Sequence, residues 1–212
     1  MSAEQRRDAI VEASIRLFAE KGFRGTTTRE LSKAIGVTEP VLYQHFKDKS
    51  DLYRAIIERK ALEGDELIET RIKPLLDSDD DEAFFRALAD LILDSFEKDP
   101  CFIRLLLFSG LEGHELNELF LERKVRGFYK LISGYMKRRM KDGAFRNVSP
   151  TAAAQAFVGA LHHHGLVKIL SLEAFPGEGR KQFVDEIVQI FVQGLASNKV
   201  SEKNGIKNGR RS

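Results

Sequence analysis

The sequence contains one cysteine in 212 residues and no apolar run near the roughly 18 residues that a membrane-spanning helix requires. A single thiol, Cys101, excludes an internal disulfide, and its apolar neighbours in CFIRLLLF predict a buried, unreactive side chain. The first residues, MSAEQRRDAIVEA, hold no uninterrupted apolar segment of the kind that directs secretion. We therefore expect a cytoplasmic protein without a membrane segment.

Signals for strands and for catalysis are equally scarce. Alternating runs of Val, Ile and Thr do not occur, and no hairpin dipeptide joins two such runs. The motifs G-x-S-x-G and H-E-x-x-H and a phosphate-binding glycine loop are missing as well. These absences argue against a β-sheet and against an enzyme, and we predict no cofactor.

Charge is distributed unevenly along the chain, although its net value is only +2. Residues 1–60 hold 12 Lys and Arg against 9 Asp and Glu, residues 61–100 hold 4 against 13, and residues 101–150 hold 10 against 5. A basic N-terminal part permits an anionic partner, but a charged run is also the usual composition of a solvated face. For the acidic segment 76–82 we predict a solvated loop rather than a site for a cationic ligand.

Helical periodicity and capping signals run through most of the chain, in which 42% of the residues are hydrophobic. Thr27 and Glu30 have the spacing of a capping box, Gly36 is a stop signal, and Thr38 and Asp48 are predicted N-caps of the next two helices. The predicted helices cover about residues 4–21, 28–35, 39–46, 49–74, 81–98, 101–111, 114–141, 149–173 and 179–197. These patterns predict an all-α protein of about nine helices.

The third predicted helix is too short to be stable in isolation, since helices below about 12 residues are marginal in water. Its apolar residues Leu42 and Phe46 recur at helical spacing and are predicted to pack against the first two helices. The side chains left to face outward are Thr38, Glu39, Pro40, Tyr43, Gln44, His45 and Lys47. A DNA major groove admits such a helix, so this face is a candidate DNA-reading surface. An ordinary helical hairpin with a solvated face is the alternative.

The segment TTTRELSKAIGVTEPVLYQHFKDKSDLYRAI, within about residues 4–60, resembles the DNA-binding domain of the tetracycline-repressor (TetR) family. It contains the runs T-x-R-E-L-x-x-x-x-G-V and L-Y-x-H-F-K-x-K, followed by D-L-Y. The remaining three quarters of the chain are similar to the family only in length and helical character. The resemblance implies a helix-turn-helix DNA-binding domain over residues 1–48, a ligand-binding and dimerisation domain over 49–197, and a disordered tail over 198–212.

The resemblance also implies roles for individual residues. Those that match base-reading positions are Arg29, Thr38, Glu39, Pro40 and Gln44, and those that match phosphate-binding positions are Thr27, Thr28, Tyr43, His45 and Lys49. Arginine can fork onto guanine, glutamine onto adenine, and a carboxylate can accept from cytosine N4. Three alternatives remain open: Thr27 is also a helix cap, Arg29 could form a surface ion pair near Glu30, and His45 could be a solvent-facing spacer.

The modest basicity of the N-terminal part implies few phosphate contacts per subunit, so we expect two subunits to read a palindrome together. In the TetR family the last two helices pair with those of a partner subunit. Here these helices carry small and apolar stripes: Ala152, Ala153, Ala156, Val158, Gly159 and Leu161 on one, and Phe183, Ile187, Ile190, Phe191 and Leu195 on the other. Packing inside one subunit is the alternative.

Aromatic residues of the fifth to eighth predicted helices, among them Phe84, Phe85 and Phe157, are candidates for a pocket that binds a largely apolar small molecule. We predict Phe108, Phe128, Tyr129 and His163 as its lining, with plain core packing as the alternative for each aromatic residue. The triplet His162–His164 does not predict a metal site, because consecutive helical residues project about 100° apart and cannot converge on one ion.

Together these features predict a TetR-like homodimeric transcriptional regulator that binds double-stranded DNA, and specifically a repressor that a small-molecule effector releases from its operator. A ligand-activated regulator of the same fold is the alternative within the family. A helical adaptor or architectural protein without sequence-specific DNA binding is the alternative outside it.

Overall fold

The computed structural model describes residues 3–113, 120, 124–170 and 179–197. The residues in these ranges form nine α-helices: α1 (Ala3–Lys21), α2 (Thr28–Ile35), α3 (Glu39–His45), α4 (Lys49–Leu67), α5 (Asp81–Lys98), α6 (Pro100–Leu111), α7 (Arg126–Lys141), α8 (Pro150–Ile169) and α9 (Arg180–Leu195). Helix α4 continues through a π-helical turn, Ile68–Ile72, and a 3-10 turn, Lys73–Leu75. The predicted all-α fold is confirmed. The predicted tail 198–212 lies outside the described residues, as do parts of the helices predicted over 114–141 and 149–173.

Between its helices the described chain consists of turns and loops, with one isolated antiparallel bridge between Phe145 and Ala196. Within the same ranges, no helix combines the length and the apolar composition that crossing a bilayer demands.

Local capping signals set the ends of α2 as predicted. The Thr27 hydroxyl accepts from the Glu30 amide at 3.2 Å, and the Glu30 carboxylate accepts from the Thr27 amide at 2.9 Å. Gly36 follows the helix with a φ of 77°, in the left-handed region that glycine tolerates best. The capping box and the glycine stop are therefore confirmed.

The caps of the next two helices differ from each other. The Asp48 carboxylate accepts from the Asp51 amide at 2.8 Å, so the predicted cap of α4 is confirmed. Thr38 takes the predicted N-cap position of α3, with extended backbone, but its side chain makes no capping hydrogen bond. A cap bonds an amide of the first turn, and Pro40 has none to offer, which halves the available donors.

Two compact units divide the chain: Met1–Glu66 with Ser95–Val125, and Leu67–Asp94 with Arg126–Ser212. In the first unit α2 packs against α1 and α3, and α6 packs against α1. This unit therefore takes in α6 and most of α4, beyond the predicted boundary at residue 48. The assignment of DNA binding to residues 1–48 and of ligand binding to 49–197 stays a prediction.

The core of the first unit is one apolar cluster that combines residues from α1, α2, α3, α4 and α6. Its members include Ile10, Ile15, Phe18, Leu31, Leu42, Phe46, Leu52, Tyr53, Ile56, Phe102 and Leu105. Leu42 and Phe46 are 3% and 2% exposed, so the predicted inward face of α3 is confirmed. Cys101 packs against the cluster but is half-buried, less than predicted.

Aromatic side chains form much of the core of the second unit. The ring of Phe85 has five aromatic neighbours at centroid distances of 4.9–6.5 Å: Phe84, Tyr135, Phe145, Phe157 and Phe191. Phe84, Phe85 and Phe157 have no exposed surface. For these three residues the core alternative holds, and they are not available as pocket lining.

The acidic segment 76–82 is partly ion-paired rather than simply solvated. Arg139 of α7 donates to the Asp81 carboxylate through Nε at 2.8 Å and through Nη2 at 3.0 Å, and to Asp79 through Nη1 at 2.7 Å. The Tyr135 hydroxyl also donates to Asp81, at 2.7 Å. The prediction of a solvated loop is therefore wrong for Asp81, whose charge is balanced by a distant helix that local sequence does not reveal.

Candidate nucleic-acid interface

The outer face of α3 is open to a partner along most of its length. Tyr43 is 47% exposed, Gln44 and Lys47 are exposed, and His45 is half-buried. On the opposite side Phe46 lies in the core, with the Arg7 guanidinium 4.8 Å from the centre of its ring. The protein thus holds this short helix from one side and leaves its polar side free for another contact.

Four of the residues predicted to read bases are exposed and the fifth is half-buried: Arg29, Thr38, Pro40 and Gln44, with Glu39 the half-buried one. The alternative for Arg29 is an ion pair near Glu30, but the Glu30 carboxylate already forms an ion pair with Lys21. Lys21 Nζ lies 2.5 Å from Glu30 Oε1, and this hydrogen bond, joined by those from Thr27, lowers the pKa of Glu30 to about 2.

The hydroxyl groups of Thr27 and Thr28, predicted to meet a phosphate, both lie against carboxylates. Thr27 Oγ1 donates to Glu30 Oε2 at 2.9 Å, and Thr28 Oγ1 donates to Glu39 Oε2 at 3.0 Å. A carboxylate only accepts, so each hydroxyl uses its one hydrogen within the protein. Phosphate contact through these hydroxyls is disfavoured, while contact through backbone amides at the start of α2 stays a prediction.

The ammonium group of Lys49, predicted to contact a phosphate, lies against the loop between α1 and α2. Its Nζ donates to the carbonyl oxygens of Phe23 at 2.7 Å and Thr26 at 2.8 Å, and lies 4.2 Å from the centre of the Phe23 ring. Burial lowers the pKa of this lysine, an effect that the Glu112 carboxylate opposes. Lys49 therefore stabilises the loop in this structure, and its phosphate contact stays a prediction.

Glu112 follows α6 and reaches the same loop, although no sequence motif points to it. Its carboxylate accepts from the backbone amides of Phe23 at 3.1 Å and Arg24 at 3.3 Å. Gly22 precedes these amides with a φ of 71°, and a Cβ at this position would overlap the carboxylate. Because 89 and 88 residues separate the partners, no local pattern indicates the contact.

The residues predicted to line an effector pocket fall into both units. Phe108 belongs to the first unit, where it is half-buried beside Gly22. In the second unit Phe128 and Tyr129 are half-buried on α7, burial raises the pKa of Tyr129, and His163 is exposed on α8. The described residues form a groove between α1 and α4 and a depression between α5 and α9. None of the four predicted pocket residues lines either of them. The pocket assignment stays a prediction.

The three residues of the histidine triplet differ in their surroundings. The ring of His164 stacks on that of Phe183, with centroids 4.0 Å apart and planes inclined by 14°. His162 and His163 are exposed. Among the residues that the structure describes, no three His, Cys, Asp or Glu side chains are grouped to hold a metal ion. His164 therefore contributes to packing between α8 and α9.

The apolar stripes of the last two helices divide between two faces. Those buried within the second unit include Val158, Leu161 and Leu195, each at most 5% exposed. Those open to solvent include Ala152, Ala156, Gly159 and Ile190, the last of which is 63% exposed. Packing inside one subunit thus accounts for part of the predicted stripe and leaves a small-residue face of α8 uncovered.

A family model described as bacterial regulatory proteins, tetR family, matches residues 10–56, which contain the larger part of α1, all of α2 and α3, and the start of α4. The chain is 30% identical over 145 residues to the nucleoid occlusion factor SlmA of Klebsiella pneumoniae subsp. pneumoniae, covering 66% of this chain and 69% of SlmA. It is 45% identical over 56 residues to the HTH-type transcriptional regulator AcrR of Shigella flexneri, covering 26% of each chain.

Solved structures share the fold over a longer range. AibR, determined in complex with isovaleryl coenzyme A and operator DNA, matches with a TM-score of 0.64 over 87% of this chain and 97% of AibR. The sequence identity in that comparison is 22%, so the likeness concerns the arrangement of helices in both parts of the chain.

Proposed function

The chain belongs to the tetR family of bacterial DNA-binding transcriptional regulators, and we propose that it is a homodimeric repressor that a small molecule releases from a palindromic operator. The family and the fold are those of transcriptional regulators rather than of enzymes. Such a protein acts where the chromosome is, in the cytoplasm.

One observation carries the DNA-binding part of this proposal. Helix α3 buries Leu42 and Phe46 and leaves Tyr43 and Gln44 exposed on the other side. A major groove accommodates one helix, and base edges there are read by hydrogen bonds from the side chains of its first turns. Gln44, with one donor and one acceptor group on its amide, has the chemistry to pair with adenine N7 and N6.

We expect Gln44→Ala to weaken binding to the preferred operator by about 1–3 kcal/mol while binding to random duplex stays nearly unchanged. The reason is that the glutamine amide would contact a base edge, and only the correct base supplies both hydrogen-bond partners. The measurement is a fluorescence-anisotropy titration of wild type and variant against specific and random duplexes at one fixed salt concentration.

Tyr43→Phe is the matched control on the same helix, because it removes only a hydroxyl that we expect to contact a phosphate. It should weaken specific and random duplexes by a similar factor. If Gln44→Ala leaves the ratio of specific to random affinity unchanged, the exposed face of α3 does not read bases.

The dimeric part of the proposal is supported by the uncovered face of α8. Ala152, Ala156 and Gly159 are exposed at spacings of four and three residues, so they lie on one side of the helix, and Ile190 is exposed on α9. Small side chains allow two helices to approach closely, and a two-fold pair of subunits presents two copies of α3 to a palindrome.

A small-molecule effector completes the proposed mechanism. AibR, which shares the fold, was solved with isovaleryl coenzyme A as well as with operator DNA. An effector acts by binding one arrangement of the subunits more tightly than the other, and a few kcal/mol of differential affinity is sufficient to change the populations. Phe108, Phe128, Tyr129 and His163 are the residues that we propose for its site.

Native mass spectrometry tests the dimer and the effector together. We expect an assembly of twice the 24.0 kDa chain, together with a species of higher mass when the protein retains a molecule from the cell. Removing that molecule should raise the affinity for operator DNA. A monomer at the concentrations where the protein binds DNA would contradict the dimeric proposal.

The similarity to SlmA favours a second candidate function, a role in nucleoid occlusion. It rests on identity that extends over two thirds of each chain, well beyond the segment matched by the family model. The positions of the DNA sites that the protein occupies on the chromosome separate the two candidates. A local repressor occupies a few promoters, whereas a factor that acts on the nucleoid occupies many sites that need not lie at promoters.

A further inference from the structure

We propose that Thr28 is a positioning residue that holds the Glu39 carboxylate in place, and that the held carboxylate selects a cytosine in each half of the operator. The inference rests on the proposed function, because it concerns how the same surface discriminates between bases. The two residues are eleven apart in the sequence and begin α2 and α3 respectively.

The geometry of the pair restricts the glutamate. Thr28 Oγ1 donates to Glu39 Oε2 at 3.0 Å, and both side chains are half-buried. A surface glutamate samples several rotamers, whereas a hydrogen bond from a rigid, β-branched threonine on the neighbouring helix favours one of them. The 3.0 Å separation lies at the long end of the range for a hydroxyl donor, so the bond biases the Glu39 side chain toward this rotamer.

The hydrogen bond from Thr28 determines which oxygen of Glu39 can accept a hydrogen bond from DNA. Oε2 accepts from the threonine, so Oε1 is the oxygen that keeps its lone pairs for a donor outside the protein. The threonine hydrogen is used in the pair, so Thr28 has no hydroxyl hydrogen left for a phosphate. Its contribution to DNA recognition is therefore the orientation of another side chain.

Base chemistry in the major groove indicates which donor Oε1 would accept. Cytosine presents its N4 amino group, whereas guanine presents the acceptors O6 and N7, and thymine presents the acceptor O4. Adenine has an amino group at N6 but also the acceptor N7 beside it, which repels a carboxylate. A carboxylate at this place therefore favours cytosine and penalises the other three bases.

The penalty depends on whether Glu39 can move away. An unrestrained glutamate would rotate toward water when it faces guanine or thymine, and the cost of the wrong base would be small. When Thr28 holds it, the charge stays opposite the base acceptor. Thr28 thus sets the selectivity at one base pair rather than the overall affinity, and a merely structural residue would not have this effect.

The test is selection of bound duplexes from a randomised pool by the purified full-length chain at one fixed salt concentration. The variants are Thr28→Val, which has nearly the same shape and no hydroxyl, Thr28→Ser, which keeps the hydroxyl, and Glu39→Gln. Enrichment at each operator position is compared between wild type and variants, and circular dichroism checks that each variant is folded.

We expect wild type to require cytosine at one position of each half-site, with a preference on the order of tenfold. Thr28→Val should lower the preference at that position severalfold and leave the other positions unchanged, and Thr28→Ser should restore it. Glu39→Gln should change the preferred base to adenine, because an amide can pair with both N6 and N7.

Three results would overturn the inference while leaving the proposed function intact. The first is a wild-type operator without this cytosine, the second is a Thr28→Val variant with wild-type selectivity, and the third is a Thr28→Val variant with equal losses at every position. Enrichment of no sequence at all by wild type would overturn the proposed function itself. Because Glu39→Gln is an independent variant, its unchanged base preference would count against the inference even if Thr28→Val failed to fold.

Discussion

Replacing Arg139 by methionine is expected to lower the free energy of unfolding of the second unit by about 3–5 kcal/mol. The guanidinium makes two hydrogen bonds to Asp81, whose side chain is only 14% exposed. Methionine fills a similar volume but leaves that carboxylate with the Tyr135 hydroxyl as its remaining donor among these groups. Asp79 is 77% exposed, so its pair with Arg139 adds little. Urea denaturation followed by circular dichroism measures the change.

The neighbouring Lys137 provides the matched control, since its side chain is exposed on the same helix and Lys137→Met removes the same charge. That variant should change stability by less than about 0.5 kcal/mol. Combining Arg139→Met with Asp81→Asn should recover part of the loss, because asparagine carries no charge and still accepts from Tyr135. The account of the acidic segment is wrong if Arg139→Met costs no more than Lys137→Met.

Replacing Gly22 by alanine is expected to destabilise the first unit by about 2–4 kcal/mol through two separate effects. The φ of 71° is unfavourable for a residue with a side chain, at a cost of about 1–2 kcal/mol. In addition, the new methyl group would overlap the Glu112 carboxylate and displace it from the amides of Phe23 and Arg24. An intact hydrogen bond to a charged group contributes about 1.5–3 kcal/mol, and the end of the Glu112 side chain can rotate and keep part of this pair, so we expect the displacement to cost about 1–2 kcal/mol.

Gly36 separates these two effects, because its φ of 77° is nearly the same while a Cβ there meets no atom within 4 Å. Gly36→Ala should therefore cost only the backbone term, about 1–2 kcal/mol. In a Glu112→Ala background most of the excess cost of Gly22→Ala over Gly36→Ala should disappear, since the carboxylate overlap is gone and only the Phe108 ring, 3.3 Å from the new Cβ, remains close. Equal costs for Gly22→Ala and Gly36→Ala in the wild-type background would contradict the importance of the Glu112 contact.

The loop that contains Gly22 leads directly into α2, which carries the exposed Arg29. Lys49 binds the carbonyl oxygens of this loop and Glu112 binds its amides, so the start of α2 is held by residues from α4 and from the end of α6. Loss of either contact should weaken DNA binding by making the position of α2 less defined, because pre-organised surfaces lose less entropy on association.

Short-range patterns were sufficient for the elements of the candidate DNA-reading surface. The capping box at Thr27 and Glu30 and the glycine stop at Gly36 involve residues within a few positions of one another, and the structure has them as predicted. The inward face of α3 follows from the spacing of Leu42 and Phe46, since every residue of a helix is related to its neighbours by the same rotation. Gln44 is exposed because it lies on the side of the helix opposite to these buried residues.

Side-chain partners across the fold were not accessible in the same way. Lys49 resembled a phosphate-binding residue because of its place at the start of α4, yet its ammonium group bonds two carbonyl oxygens more than twenty residues earlier in the chain. From the sequence, the hydroxyl of Thr28 was a candidate donor to a phosphate. In the structure it donates to Glu39 instead. In both cases the sequence indicated correctly that the side chain forms polar contacts, but it did not indicate which group in the fold it contacts.

By itself the sequence determined the all-α class, the bounds of α1, α2, α3, α5 and α6 to within one residue, and the face that α3 buries. Caps and periodicity act within a few residues and need no knowledge of the rest of the chain. Only the tertiary structure decided that Glu112 closes the loop before α2 and that Arg139 neutralises Asp81. Those contacts join residues 58 to 89 positions apart, and their existence depends on how whole helices pack, which no local pattern encodes.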